Sequence, residues 1–161
     1  MKKKSGILVL CLLVIIVGIV ILNQNEASQT ISLANVRKED ATATKILKKT
    51  SLGKTNLVCY KNKKANVNLM SFISGKRHVW AQGTKTINVS IDADNNGTMI
   101  VFYGDNKKMS IDSFTYELSN QTVSYNVKSE TIILKALLVN QSDGVGKGKA
   151  YNAKHQLIFE F

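Results

Sequence analysis

Asp92, Asp94 and Asn96 set oxygen-bearing side chains at alternate positions, and Gly97 follows at once. This is the first half of a calcium loop, in which alternate oxygen ligands precede a glycine that permits a sharp turn. The second half is missing, because the twelfth position counted from Asp92 is Tyr103, which has no bidentate carboxylate to give. The segment also lies between two alternating apolar runs, so a plain hairpin turn competes with the metal site.

Nucleophilic chemistry has thin support. Cys59 stands inside the apolar run Leu57-Val58-Cys59-Tyr60, where a thiol is expected to pack as a small hydrophobe. The two histidines, His78 and His155, belong to no catalytic spacing. The Gly-rich run Ser142 to Lys149 suggests phosphate cradling, but Ala150 follows Lys149 where a phosphate-binding loop needs Ser or Thr. No cofactor motif stands in the chain, and no enzyme is expected.

Charge is more informative. Lys and Arg number 22 against 11 Asp and Glu, for a formal net charge of +11. Residues 36–64 hold nine basic residues against Glu39 and Asp40. Lys45, Lys48, Lys49, Lys54, Lys61, Lys63 and Lys64 are therefore candidates for binding an anionic envelope polymer or lipid head groups. A solvated face that keeps the domain soluble is the plainer expectation. Nucleic acid is not expected, since no basic and aromatic interleaving is present.

The elements that position these residues read as strands. Val67, Leu69, Ser71 and Ile73 share one parity; Ile87, Val89 and Ile91 alternate with polar residues. Phe114, Tyr116 and Leu118 do the same, as do Val123, Tyr125 and Val127, and finally Leu157, Phe159 and Phe161. A period of two marks half-buried strands. Met99–Tyr103 and Thr131–Val139 are more continuously apolar, as central strands are. Ser74-Gly75-Lys76, Asp94 to Gly97, Gly104-Asp105-Asn106 and Ser119-Asn120-Gln121 read as hairpin turns. Asp40 is positioned to cap a short helix over 41–49, although Thr42 and Thr44 suit a strand equally well. Trp80 is expected to anchor a strand.

The amino end sets the expected location. Lys2, Lys3 and Lys4 precede Gly6–Leu22, a run without charge. At 1.5 Å per residue this run covers about 25 Å of a bilayer. A cleaved signal peptide is the alternative, but its apolar core is usually shorter and a small-x-small cleavage site is lacking. Cys11 lies within the run after Leu10, which excludes a lipobox. The lysines before the span predict a cytoplasmic amino end and an exported body. In such a body Cys59 is the single thiol, so the domain must hold together through its core rather than an internal disulfide. The Asn-x-Ser/Thr triplets at Asn88, Asn96, Asn120 and Asn140 are read as chance in a Pro-free, Asn- and Lys-rich chain of bacterial character.

Lys45 to Lys48, the run Leu57 to Asn62, the downstream Trp80 and the closing Ala150 to Lys154 together are similar to a loose group of small membrane-anchored extracytoplasmic β-domain proteins of Gram-positive bacteria. The resemblance implies a location and a fold, and no catalytic residue. Cys59 departs from it, standing where the group has a larger apolar residue.

The expected chain is thus a cytoplasmic basic end at 1–5, a single-pass transmembrane anchor at 6–22, a polar stalk at 23–35 and an extracytoplasmic domain at 36–161. That domain should be mainly β, an antiparallel sandwich or curved meander sheet of about eight or nine strands. Its expected role is a binding or sensing module, with an accessory subunit held to a membrane protein partner as the alternative.

Overall fold

The computed structural model describes residues 31–73, 75–83, 85–94, 97–107, 110–140 and 146–161. Residues 6–22, read as a membrane span, lie outside the described residues. Among those described, no helix is long and apolar enough to cross a membrane.

A short helix, α1 (Leu33–Glu39), is followed by eleven strands: β1 (Ala43–Leu52), β2 (Thr55–Asn62), β3 (Val67–Ile73), β4 (Lys76–Ala81), β5 (Asn88–Asp94), β6 (Gly97–Asp105), β7 (Ser113–Glu117), β8 (Thr122–Asn126), β9 (Ile132–Val139), β10 (Lys147–Tyr151) and β11 (Leu157–Glu160). They form three antiparallel sheets, ordered β1-β2-β3-β4, β5-β6-β9 and β11-β10-β7-β8. The mainly β class stands, with more strands and one more sheet than a sandwich has.

The helix lies one segment earlier than the sequence suggested. Ser32 caps α1 by accepting from the Asn35 amide while the Asn35 side chain accepts from the Ser32 amide. Asp40, expected to open a helix, closes one: its amide donates to the Val36 carbonyl. Residues 43–52 are strand β1, because Ala43 and Ile46 must pack on the neighbouring strands and the β-branched threonines fit the pleat. Seven residues make a marginal helix, so α1 depends on packing. Val36, fully buried, and Ile31 dock it on Val58, Tyr60, Met70 and Phe72 of the first sheet. Ile31 and Leu33, in the segment read as stalk, thus belong to the core.

The layers stack in the order α1, first sheet, second sheet, third sheet. Between the first two sheets lie Leu57, Cys59, Val67 and Leu69, facing Met99, Val101, Tyr103 and Leu134. Ile100, Phe102 and Ile133 leave the opposite face of the second sheet and meet Phe114, Tyr116 and Ala150 of the third. Strand β6 is therefore buried on both faces, as its continuous apolar run implied. Strand β3 is also buried on both faces, because α1 covers the side that simple alternation would leave wet. Strand β9 differs from expectation: it is an edge strand, buried at Ile133, Leu134 and Val139 but half-buried over residues 135–137, with Leu138 57% exposed.

Three of the four expected hairpins form. The fourth, at Gly104-Asp105-Asn106, is a crossover between the second and third sheets. Asn106 is buried, and its amide nitrogen lies within hydrogen-bond reach of the carbonyls of Ile111, Val127 and Glu130 at 2.8, 3.3 and 3.0 Å. Its side-chain oxygen accepts from the Ile111 amide at 2.7 Å. One side chain thereby satisfies the backbone of a buried corner that strand pairing leaves open.

Candidate functional site

The β1–β2 hairpin and the β2–β3 turn carry the seven candidate lysines and spread them apart. Lys45 is directly opposite Lys61, and Lys63 and Lys64 occupy the turn beyond, where the Lys63 amide donates to the Thr42 carbonyl at 2.9 Å. The chain from α1 reaches the same end: Arg37 Nε donates to the Ala43 carbonyl at 3.0 Å, and Lys38 is its neighbour in the last helical turn. Six cations thus flank one end of the first sheet, with Glu39, Asp40 and Asp105 as the nearby acids, Glu39 also pairing with Arg77 at 3.3 Å. Lys61 approaches Asp105 only to 3.8 Å with both side chains over a third exposed, a weak pair in water.

The other lysines are not part of this end. Lys48 is drawn into an ion pair with Glu130, which also pairs Lys135. Burial pushes the Glu130 carboxyl pKa up, but hydrogen bonds and charge from Lys135 and Lys48 outweigh it and hold the group below its usual value. Lys49 is exposed in mid-strand. Lys54 lies in the β1–β2 turn, at the opposite end of β2 from Lys63.

That far end has its own feature. A cleft of about 390 Å³ between the first two sheets is lined by Leu52, Met99 and Leu138 together with Lys54, His78 and Asp92. His78 Nε2 lies 2.6 Å from Asp92 Oδ2, joining edge strand β4 to edge strand β5. The carboxylate proposed as the first calcium ligand therefore has a histidine partner on another sheet. The side chain of Asp94, and Asn96, lie outside the described residues. The Asp94–Gly97 pair closes a hairpin, and Gly97 takes φ 141°, a conformation that suits glycine. Among the described residues no group of three or more His, Cys, Asp and Glu is placed to hold a metal ion.

Cys59 is fully buried, and burial pushes its thiol up to about 12 against the opposing pull of the Lys48 charge. Its sulfur faces the Ile133 carbonyl at 4.0 Å, far in sequence from either histidine. Trp80 is an edge anchor with a polar handle: it is 48% exposed, and its Nε1 donates to the Tyr60 hydroxyl at 2.6 Å.

Sequence reasoning missed Glu130, Asn106 and the His78–Asp92 pair. Nothing local marks Glu130 as the partner of Lys48, since 82 positions separate them. Asn106 carried a signal, a turn-forming residue closing an apolar strand, but that signal also fits a hairpin.

Comparison with known proteins adds no relative: no family model, no curated protein and no solved structure matches the chain.

Proposed function

We propose that this protein is a non-enzymatic binding or sensing module, anchored once in the membrane through residues 6–22, with its β domain outside the cell and its basic end directed at an anionic envelope polymer or lipid head groups. The observation that carries the reading is Lys45 directly opposite Lys61, beside Lys63 and Lys64. Like charges facing each other across a strand pair oppose folding by a few tenths of a kcal/mol, and a bound polyanion relieves that repulsion. The apolar run behind Lys2–Lys4 and the resemblance to anchored extracytoplasmic domains support the placement.

The test uses the full chain in neutral nanodiscs with soluble poly(glycerol phosphate) as probe. Binding at low salt that weakens steeply as salt rises, and that is lost when Lys45, Lys61, Lys63 and Lys64 are changed to Glu, is the expected result. Absence of binding at low salt overturns the anion reading. Protease added to intact cells should digest the β domain; survival of that domain overturns the placement.

A further inference from the structure

The three sheets end in six edge strands: β1 and β4, β5 and β9, β11 and β8. An edge strand presents a row of unpaired N–H and C=O groups, and proteins blunt it with charge, a bulge or shortness. Five of the six are blunted. Strand β1 carries Lys45, Lys48 and Lys49, with Lys48 drawn to Glu130, and its pairing with β2 shifts register twice. Strand β4 holds Lys76, Arg77 and His78 and shifts against β3; β11 is four residues long, ends in Glu160 and shifts against β10. Strand β5 carries Asp92 and Asp94, and β9 carries Lys135, which Glu130 also engages.

Strand β8 is different. Thr122-Val123-Ser124-Tyr125-Asn126 contains no charge, proline or glycine, and every residue pairs in step with β7. Two hydrogen bonds that bracket the strand give the direction of its backbone groups. The Leu118 amide donates to the Gln121 carbonyl and the Val127 amide to the Asp112 carbonyl, each at 2.8 Å and both in the β7–β8 register. Alternation along an antiparallel pair then turns the amides and carbonyls of Val123 and Tyr125 toward β7. Those of Thr122, Ser124 and Asn126 face the open edge. These three residues are exposed, whereas Val123 and Tyr125 are half-buried. Both pack on the core cluster from its rim, Tyr125 with its ring centroid 5.0 Å from that of Phe114, and part of each apolar side chain stays uncovered.

A neutral strand with an apolar inner face fits this edge, and β8 itself is such a strand. A two-fold axis at Ser124 sets Ser124 opposite Ser124 of the second copy, Thr122 opposite Asn126 and Val123 opposite Tyr125. The outward backbone groups then meet as hydrogen-bonded pairs. Val123 and Tyr125 fall at the closer non-hydrogen-bonded positions, where a β-branched and an aromatic side chain cover one another. No like charges meet within the strand pair, although the chain carries +11. Self-pairing of β1, β4 or β5 would instead bring charges of one sign together.

From this we infer that β8 is an interface between two copies of this chain, joined antiparallel about a two-fold axis at Ser124 so that their third sheets run on as one. The interface does not depend on what the basic end binds.

The test is disulfide cross-linking of the full chain in detergent, with Ser124→Cys in a Cys11→Ser background and a mild oxidant. Facing residues in a hydrogen-bonded antiparallel pair have Cα atoms about 5.5 Å apart, within disulfide reach, so a linked dimer is expected. Thr115→Cys, one strand inward on β7, would stand about 14 Å from its counterpart across three strand spacings and should not link. Adding Thr122→Lys and Asn126→Lys, which the axis sets face to face, should slow linking of Ser124→Cys about tenfold. These positions are on the surface, so the variants should keep the parent's circular dichroism. Absence of a linked dimer from Ser124→Cys overturns the inference and leaves the edge to a strand of another protein. Linking as fast from Thr115→Cys, or undiminished by the added lysines, also overturns it.

Discussion

The Tyr60 hydroxyl donates to Asp40 Oδ2 at 2.7 Å and accepts from Trp80 Nε1 at 2.6 Å, tying the end of α1 to edge strand β4 through the middle of the first sheet. Asp40 also accepts from the Thr42 amide and hydroxyl. Burial pushes the Tyr60 hydroxyl up to about 12, so it remains a donor at every physiological pH. Tyr60→Phe leaves both Asp40 and Trp80 short of a partner. It should cost about 2 kcal/mol, measured by urea unfolding. A loss below about 0.5 kcal/mol would show that water replaces the hydroxyl.

The same carboxylate sets an acid limit. Burial raises Asp40, but hydrogen bonds from Thr42 and Tyr60 outweigh it and hold the group below its ordinary 3.8; Glu130 is likewise held below 4.5. A depressed folded value means stability that is complete above the unfolded value and disappears as pH falls through the folded one. Stability should therefore be level above about pH 5 and fall progressively below about pH 4. The double variant Asp40→Asn, Glu130→Gln should be less stable at pH 7 and show a flatter acid limb, read from melting temperature against pH.

Gly148 and Phe161 should behave as one unit. A Cβ at Gly148 would stand 2.2 Å from Phe161 Cζ, and the two residues exchange backbone hydrogen bonds of 2.8 and 2.9 Å. Gly148→Ala must push the ring off the core cluster it shares with Phe114 and Tyr116. A cost of about 2 kcal/mol is expected, against about 3 kcal/mol for Phe161→Ala. In the double variant the glycine change should add little, so a double-mutant cycle should give a coupling above about 1 kcal/mol.

Asn106→Ala should be among the most damaging single changes. It strips the buried carbonyls of Ile111, Val127 and Glu130 and the Ile111 amide of their side-chain partner. A loss of about 3 kcal/mol or more is expected from urea unfolding. Asn106→Asp should not rescue it, because a carboxylate donates nothing to carbonyls and brings a buried charge.

Cys59 should be inert in the folded protein. In a Cys11→Ser background, a thiol reagent at pH 8 should label it only at the rate of global unfolding, and denaturant should accelerate that labelling. Rapid labelling without denaturant would contradict the buried thiol.

Much of the local architecture was legible in the sequence. The inward parity of Phe114 and Tyr116, the continuous burial of Met99–Tyr103 and the antiparallel pairing of β3 with β4, β5 with β6 and β7 with β8 depend on neighbours a few residues apart. Of the candidate site, the excess of lysines was visible but its division was not. Lys45 and Lys61 face each other because of strand register, and Lys48 leaves the group because β9 brings Glu130 beside it.

Residue order alone thus determined a mainly β domain with a basic segment ahead of most of its strands, because alternation and charge are properties of short stretches of chain. Only the tertiary structure decided that the strands divide into three sheets, that Asn106 turns a corner instead of a hairpin, and that Lys48 pairs with Glu130. Each of these depends on groups far apart in the chain meeting in a packed interior, where every buried polar atom must find a partner and no local pattern says which one.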